Sequence, residues 1–433
     1  MFKEIRIVEN MLRFIRGLIP RRVFRFFQPW YHGTLSLLGS YFYGQPSKKI
    51  KVIGVTGTKG KSTTVFLISK LLGEAGKSVA AIGSLGYRIK DRQWPNELKM
   101  TMPGRWKLQK FLYEAVKEKC EYVVLEVTSE GLAQNRHWGV KFDCAVFTNL
   151  SKEHLESHGS FSKYYQAKQR LFEKTKNIHV LNADDSHIEL FSKFESSKKI
   201  FYGINHGDMK AVDTNVLSDR VEFEIYGTKF NINLGGEFNI YNCLAALSCV
   251  AMYGMDLPQS KAILEKVTNI SGRMEFVHKN PDVIVDYAHT PDSLEKVYKT
   301  FREDTRFKIQ GSRLICVLGA AGGGRDKWKR PEFGKIAEKY CDEIILTNED
   351  PFDEDPYQIL SEIKSGILTP RIQSSNFYEI LDRKEAIKQA LTLAGENDTV
   401  IITGKGSETS IAVSNGKKVP WSDKKIILEL LKK

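Results

Sequence analysis

Gly57-Thr58-Lys59-Gly60-Lys61-Ser62-Thr63 links a β-branched run to a helical pattern, and its residue types suit phosphate chemistry. Glycines let backbone N–H groups turn inward around phosphate oxygens, and a helix start adds the positive end of its dipole. Gly57, Thr58, Gly60, Lys61, Ser62 and Thr63 are therefore the candidate cradle, with Lys61 offsetting β- and γ-phosphate charge and Ser62 ligating Mg²⁺. The general P-loop spacing wants glycine where Val55 stands, so the motif is a variant. A chance glycine turn is the alternative. Strand, loop, Lys-Ser and helix in the right order argue instead for a nucleoside triphosphate.

Two more stretches carry polar chemistry. Glu126 ends the run Val-Leu-Glu-Val-Thr-Ser; a carboxylate at the C-terminal edge of a parallel sheet can hold Mg²⁺, or can simply cap a helix. Thr148 to Gly159 (TNLSKEHLESHG) gathers Asn149, Glu153, His154 and His158 after another predicted strand, where a lone histidine would be structural but two are less easily so.

The elements that position these residues alternate strand and helix. Predicted strands are Val52–Gly57, Ser78–Gly83, Tyr122–Val127 and Cys144–Thr148; predicted helices are Ser62–Leu72, Lys107–Lys117 and Lys163–Phe172. A β-rich stretch near Val221–Leu234 and a helix at Ile240–Met252 follow. A second series has strands Val283–Tyr287, Leu314–Leu318, Glu343–Thr347 and Thr399–Thr403, with helices Ser293–Phe301, Glu332–Lys339 and Lys384–Leu393. The expected fold is α/β: a P-loop-containing central domain with a mostly parallel sheet (47–270), then a Rossmann-like domain (271–433).

Residues 1–46 stand apart as a basic aromatic arm. Residues 1–51 hold ten basic and two acidic residues, most of the net charge of +13, so the body needs no polyanion and nucleic acid is not an expected partner. Arg13, Arg16, Arg21, Arg22 and Arg25 interleave with Phe14, Phe24, Phe26, Phe27, Trp30 and Tyr31, and Pro20 and Pro29 are expected to cut the arm into short helical pieces. The aromatics suit either packing on the body or a partner subunit, or peripheral contact with an anionic membrane. Composition (433 residues, 42% hydrophobic, 27% charged) excludes disorder and a small disulfide scaffold. Six cysteines without CxxC spacing read as buried thiols, and no apolar run is long enough for a span, so a cytoplasmic protein is expected.

The sequence resembles the Mur ligases, and within them the MurE type, from about Lys51 onward. The motifs are GTKGKST (57–63), EVTSEGLAQNR (126–136), FTNLSKEHLESHG (147–159), YYQAKQRLF (164–172), GEFNIYNCLAA (236–246) and SGRMEF (271–276), then VDYAHTPDSLEK (285–296), GGGRDKWKRP (322–331), EDPFDEDP (349–356) and GKGSE (404–408). The resemblance implies an ATP-dependent ligase that adds one amino acid to a UDP-muramyl peptide through an acyl phosphate; a monomer is expected. By the same resemblance Ser62 and Glu126 hold one Mg²⁺, and His154 with Lys168, carbamylated in this family, holds a second; unmodified, Lys168 is a helical surface lysine. Asn149, Asn242, Arg273 and Asp286 are implied at ATP. Thr101, Thr128, Gln134 and Arg136 are implied at the muramyl substrate, and Arg325, Glu349, Asp350, Gly404 and Glu408 around the incoming amino acid.

The match has departures. The family's N-terminal uridine-binding domain is replaced by the arm, and Phe352 stands where diaminopimelate-adding enzymes carry Arg, which disfavours diaminopimelate. Glu349, Asp350 and Asp353 suit a cationic side chain or are solvated loop acids; Ser407, Met102 and Glu130 also differ from the usual residues. A folylpolyglutamate synthase-like enzyme and a nucleotide-binding scaffold that has lost ligation are the competing readings.

Overall fold

The computed structural model describes residues 21–96, 100–104, 106–153, 155–304, 311–368, 370, 373 and 375–432. A helix, Arg21–Phe42, precedes two α/β units. The first rests on a sheet ordered β4-β3-β2-β5-β1-β6-β7-β8-β9. Its strands are β1 Lys51–Thr56, β2 Val79–Gly83, β3 Gly86–Ile89, β4 Arg92–Trp94, β5 Tyr122–Glu126, β6 Cys144–Phe147, β7 Ile178–Asn182, β8 Lys198–Gly203 and β9 Met209–Lys210. Neighbours run parallel except at the β2-β3-β4 end.

The central strands are buried on both faces, as parallel strands between helices must be. Ile53, Val55, Val124, Cys144 and Val146 face the helices Lys61–Glu74 and Glu237–Ala251. Val52, Val123, Leu125, Ala145 and Phe147 face the helices Trp106–Lys117 and Phe161–Lys174. A small antiparallel sheet, β10 Val212–Val216, β11 Val221–Ile225 and β12 Thr228–Ile232, extends the first of these cores. β1 lies between β5 and β6, so the chain leaves it at a topological switch point. A crevice opens at such a point beyond the C-terminal strand ends, and the glycine loop occupies it.

The second unit carries β13 Glu275–His278, β14 Asp282–Val285, β15 Leu314–Leu318, β16 Glu343–Leu346, β17 Phe377–Glu379 and β18 Thr399–Ile402. Their order is β13-β14-β18-β15-β16-β17, parallel except for β13. Helices Pro291–Glu303, Lys329–Tyr340 and Pro356–Lys364 cover one face; Arg383–Leu393 and Asp423–Leu430 cover the other. A hairpin of β19 Ser410–Ala412 and β20 Lys418–Pro420 stands beside the sheet.

Three expectations are corrected. Pro29 lies inside one continuous helix, Arg21–Phe42, rather than ending a short piece; Pro20 falls outside the described residues. Proline removes one N–H, and the packing of this helix on Trp106 and Trp138 compensates. The cysteines are not all thiols: β15 and the end of Lys329–Tyr340 bring Cys316 and Cys341 to a Cα separation of 6.0 Å, and the pair is bonded. Lys168 is buried, 1% exposed, and so is not a surface lysine.

Candidate functional site

The loop after β1 is held in shape by the loop after β6. Asn149 receives the Lys59 N–H on Oδ1 at 2.8 Å, donates from Nδ2 to the Lys59 carbonyl at 3.1 Å, and its own carbonyl accepts the Thr58 N–H at 2.8 Å. Two loop amides are thereby used. Those of Lys61, Ser62 and Thr63, in the first turn of Lys61–Glu74, have no intrahelical acceptor and form the anion-facing helix end. Gly57 and Gly60 have positive φ, and a Cβ at either would strike Thr148 Oγ1 at 1.9 Å or Asn242 Oδ1 at 2.3 Å. Only glycine fits this turn.

Three lysines converge on the loop. Lys61 Nζ donates to the Gly57 carbonyl at 3.0 Å and the Thr58 carbonyl at 2.6 Å. Lys168 Nζ reaches the same Gly57 carbonyl at 2.6 Å and lies over the Tyr164 ring. Lys59 Nζ pairs with Glu153 at 3.0 Å. Burial lowers the pKa of all three, Lys59 to about 8 and Lys168 well below the usual lysine range, the latter pressed further by the Lys61 charge. An additional anion in this space would be strongly attracted.

Glu126, at the end of β5, faces the loop. Ser62 Oγ donates to its Oε1 at 3.2 Å, while Ser84 gives its N–H at 2.8 Å and its hydroxyl at 2.7 Å to Oε2. Ser62 and Glu126 thus offer an oxygen-only pair beside the phosphate cradle, which fits Mg²⁺, an ion held by one or two protein oxygens with phosphates completing its shell. Among the described residues no three His, Cys, Asp or Glu side chains converge as a softer metal would require. His154 lies outside the described residues.

The second unit closes over this centre. Arg273 stacks on Tyr287, 4.3 Å from its centroid, and donates from Nη2 to Ser62 Oγ at 3.2 Å. Asp286 acts on the backbone beneath it, accepting the Met274 and Ala288 N–H groups, both at 2.7 Å. His289 and Lys329 come within 3.9 and 3.8 Å of Glu153. Asn242 approaches from the helix Glu237–Ala251, its Oδ1 3.4 Å from Thr64 Oγ1.

Between the units lies a cavity of about 110 Å³ whose wall combines Ser84, Asn96 and Thr101 with Arg273, Tyr287, Ser407 and Glu408. Thr101 and Glu408 therefore share one cleft. Thr128, Gln134 and Arg136 form a neighbouring brace: Thr128 caps Ser129–Ala133, and Arg136 binds Gln134 Oε1 at 3.0 and 2.7 Å and the Met102 carbonyl at 2.8 Å.

Of the acids expected around an amino acid, Asp350, Asp353 and Glu408 already have partners. Lys405, fully buried, pairs with Asp350 at 2.9 Å and with Glu408, and Asp350 also takes the Ala412 N–H at 2.6 Å. Asp353 accepts the Asn415 N–H at 2.8 Å. This corrects the picture of three loop acids awaiting a cation. Glu349, buried beneath Gly404, keeps Oε2 without a hydrogen bond, and burial pushes its carboxyl up to about 7. Arg325 stacks on Phe352, 5.2 Å from the ring centroid.

Sequence reasoning did not assign Glu153, Ser84, Tyr164, His289, Lys329 or Lys405. Glu153 sat unassigned in the polar stretch after β6, and Lys329 in GGGRDKWKRP. Their partners lie on other elements, so no spacing rule exposes them.

The Mur ligase middle domain matches residues 55–250, and the Mur ligase glutamate ligase domain matches residues 272–406. The chain is 38% identical over 408 residues, covering 92% of it and 81% of the relative, to a UDP-N-acetylmuramoyl-L-alanyl-D-glutamate–2,6-diaminopimelate ligase of Clostridium botulinum. It is 36% identical over 415 residues, covering 90% and 80%, to a UDP-N-acetylmuramyl-tripeptide synthetase of Roseiflexus. A solved structure of a diaminopimelate ligase of this kind superposes with a TM-score of 0.62 at 32% identity, covering 88% of this chain and 78% of that one. Mycobacterium tuberculosis folylpolyglutamate synthase shares the fold, with a TM-score of 0.69 at 16% identity, covering 86% and 92%.

Proposed function

The chain belongs to the Mur ligase family, and from that premise we propose an ATP-dependent ligase that joins one amino acid to a UDP-N-acetylmuramyl peptide. The observation that carries this reading is the reach of Arg273 from the second unit to Ser62 in the phosphate loop, at 3.2 Å, beside Lys61 and Glu126.

A carboxylate resists an amine because it is anionic and lacks a leaving group. Transfer of the γ-phosphoryl of ATP to the acceptor's carboxylate makes an acyl phosphate and ADP; the amine attacks the acyl carbon, phosphate departs, and the amine's proton is lost. Lys61 and the helix-end amides hold the phosphates, and Arg273 adds charge where it shifts onto oxygen. Mg²⁺ bound by Ser62 and Glu126 would offset further phosphate charge. Closure of the second unit, through Arg273 on Ser62 and Lys329 and His289 beside Glu153, excludes water that would hydrolyse the acyl phosphate.

Lys168 acts in this reading as a carbamate. Burial favours its neutral amine, which adds CO₂ to give N–COO⁻ and a proton, and the carbamate with His154 would offer ligands to a second Mg²⁺. Thr101, Thr128, Gln134 and Arg136 serve the muramyl side, and Arg325, Glu349, Asp350, Gly404 and Glu408 the amino-acid side. Phe352 argues for an amino acid without a second carboxylate. We assign the chain a monomeric state, a cytoplasmic setting, and a peripheral membrane contact through residues 1–46.

The test is phosphate release from ATP with UDP-muramyl dipeptide and each amino acid in turn, with mass spectrometry of the product. Release requiring both substrates supports the reading, and release without the muramyl peptide contradicts it.

A further inference from the structure

The helix Arg21–Phe42 carries its large and small residues on unusual sides. A helix on a globular protein normally buries its bulky apolar stripe. Here Gly33, Ser36, Gly39 and Ser40 face inward. A Cβ on Gly33 would lie 2.7 Å from the Trp138 ring and one on Gly39 3.1 Å from Trp106. Ser36 and Ser40 donate to the carbonyls of Arg136 and Gly139 at 2.9 and 3.0 Å. Phe27, Trp30, Leu38 and Tyr41 are on the other side, 57% to 68% exposed. At 3.6 residues per turn these four fall within an arc of about 80°, opposite the small residues.

The charge around this stripe has one sign. No acidic residue occurs between Glu9 and Glu74, and Arg21, Arg22 and Arg25 lie in the first turns of the helix. At its other end a groove of about 200 Å³ is walled by Leu37, Tyr41, Lys48 and Lys141. On the adjoining helix, Glu114 is paired with Lys110 at 3.6 Å. Among the described residues no helix is long and apolar enough to cross a membrane.

We propose that this face lies flat on an anionic lipid bilayer, with the Phe27–Tyr41 stripe at the acyl–headgroup boundary and Lys48 and Lys141 on lipid phosphates. A row of Trp, Tyr, Phe and Leu flanked by cations, with the neighbouring Glu114 paired to Lys110, suits that interface, where aromatic rings sit at headgroup depth and basic residues meet anionic lipid. A second copy would have to bury the same stripe while bringing like cations together. The proposal deepens the membrane contact assigned to residues 1–46 and rests on that reading, not on the ligase chemistry.

The full chain is centrifuged with phosphatidylcholine vesicles with and without phosphatidylglycerol. Binding to the anionic vesicles, weakened by salt, is expected, and Leu38→Gln/Tyr41→Gln or Lys48→Glu/Lys49→Glu should each lower it about tenfold. ATP-dependent ligation and melting temperature, unchanged in these variants, show that the fold survives. Absence of binding, or equal binding to both vesicle types, overturns the proposal. So does sedimentation velocity showing a dimer that Leu38→Gln/Tyr41→Gln splits, since the stripe would then join two copies.

Discussion

The Arg273 guanidinium crosses from the second α/β unit to within 3.2 Å of the Ser62 hydroxyl at the start of the phosphate-loop helix. This contact joins the two units at the phosphate loop. It ties the catalytic charge to the exclusion of water.

Arg273→Ala should therefore lower kcat by ~10²–10³-fold while changing the KM for ATP far less, because the lost charge acts most on the transition state. Steady-state rates at saturating amino acid and muramyl peptide check this. An equal loss confined to KM would place Arg273 in ground-state binding.

Lys168→Arg cannot form the carbamate, so turnover should fall by about a hundredfold or more. Wild-type enzyme freed of CO₂ should slow and recover on adding bicarbonate. Wild-type rates under both conditions would remove the carbamate from the mechanism.

Glu349 gives a pH signature. Its carboxyl rises from 4.5 unfolded to about 7 folded, so the folded state holds the extra proton between those values and loses stability as pH climbs through them. The penalty is complete above about pH 7 and is on the order of 3 kcal/mol. Glu349→Gln should melt close to wild type at pH 5 and clearly higher at pH 8, read by calorimetry across that range.

Arg383 and Asp423 form a buried pair at 2.8 Å, with Arg383 also donating to the Asn348 and Thr403 carbonyls. These carbonyls precede Glu349 and Gly404. Asp423→Ala strands the guanidinium and should destabilise by ~3–5 kcal/mol in urea unfolding.

Much of the architecture was readable because burial on both sheet faces leaves runs such as Val52–Val55 and Leu314–Leu318 with no polar interruption. The β3-β4 hairpin escaped because Gly86–Trp94 is short and mixes Arg with Tyr and Trp; the stacking of Tyr87 on Trp94 holds it. Lys61, Ser62 and Glu126 were legible from local chemistry. Glu153 was not, since Lys329, which helps give it meaning, arrives from the other unit. Lys405 was likewise silent in GKGSE until folding set it between Asp350 and Glu408. Pro29 reads locally as a break, since Trp106 and Trp138, on which the helix packs, lie far away in sequence.

The clasp of Asn149 on both the N–H and the carbonyl of Lys59 means the turn around the phosphates has its curvature before any nucleotide arrives. A triphosphate meets a mould already cast, and little of its attraction is spent on stiffening floppy backbone. One amide side chain, borrowed from the neighbouring strand's loop, thereby lets recognition begin from a rigid receptor.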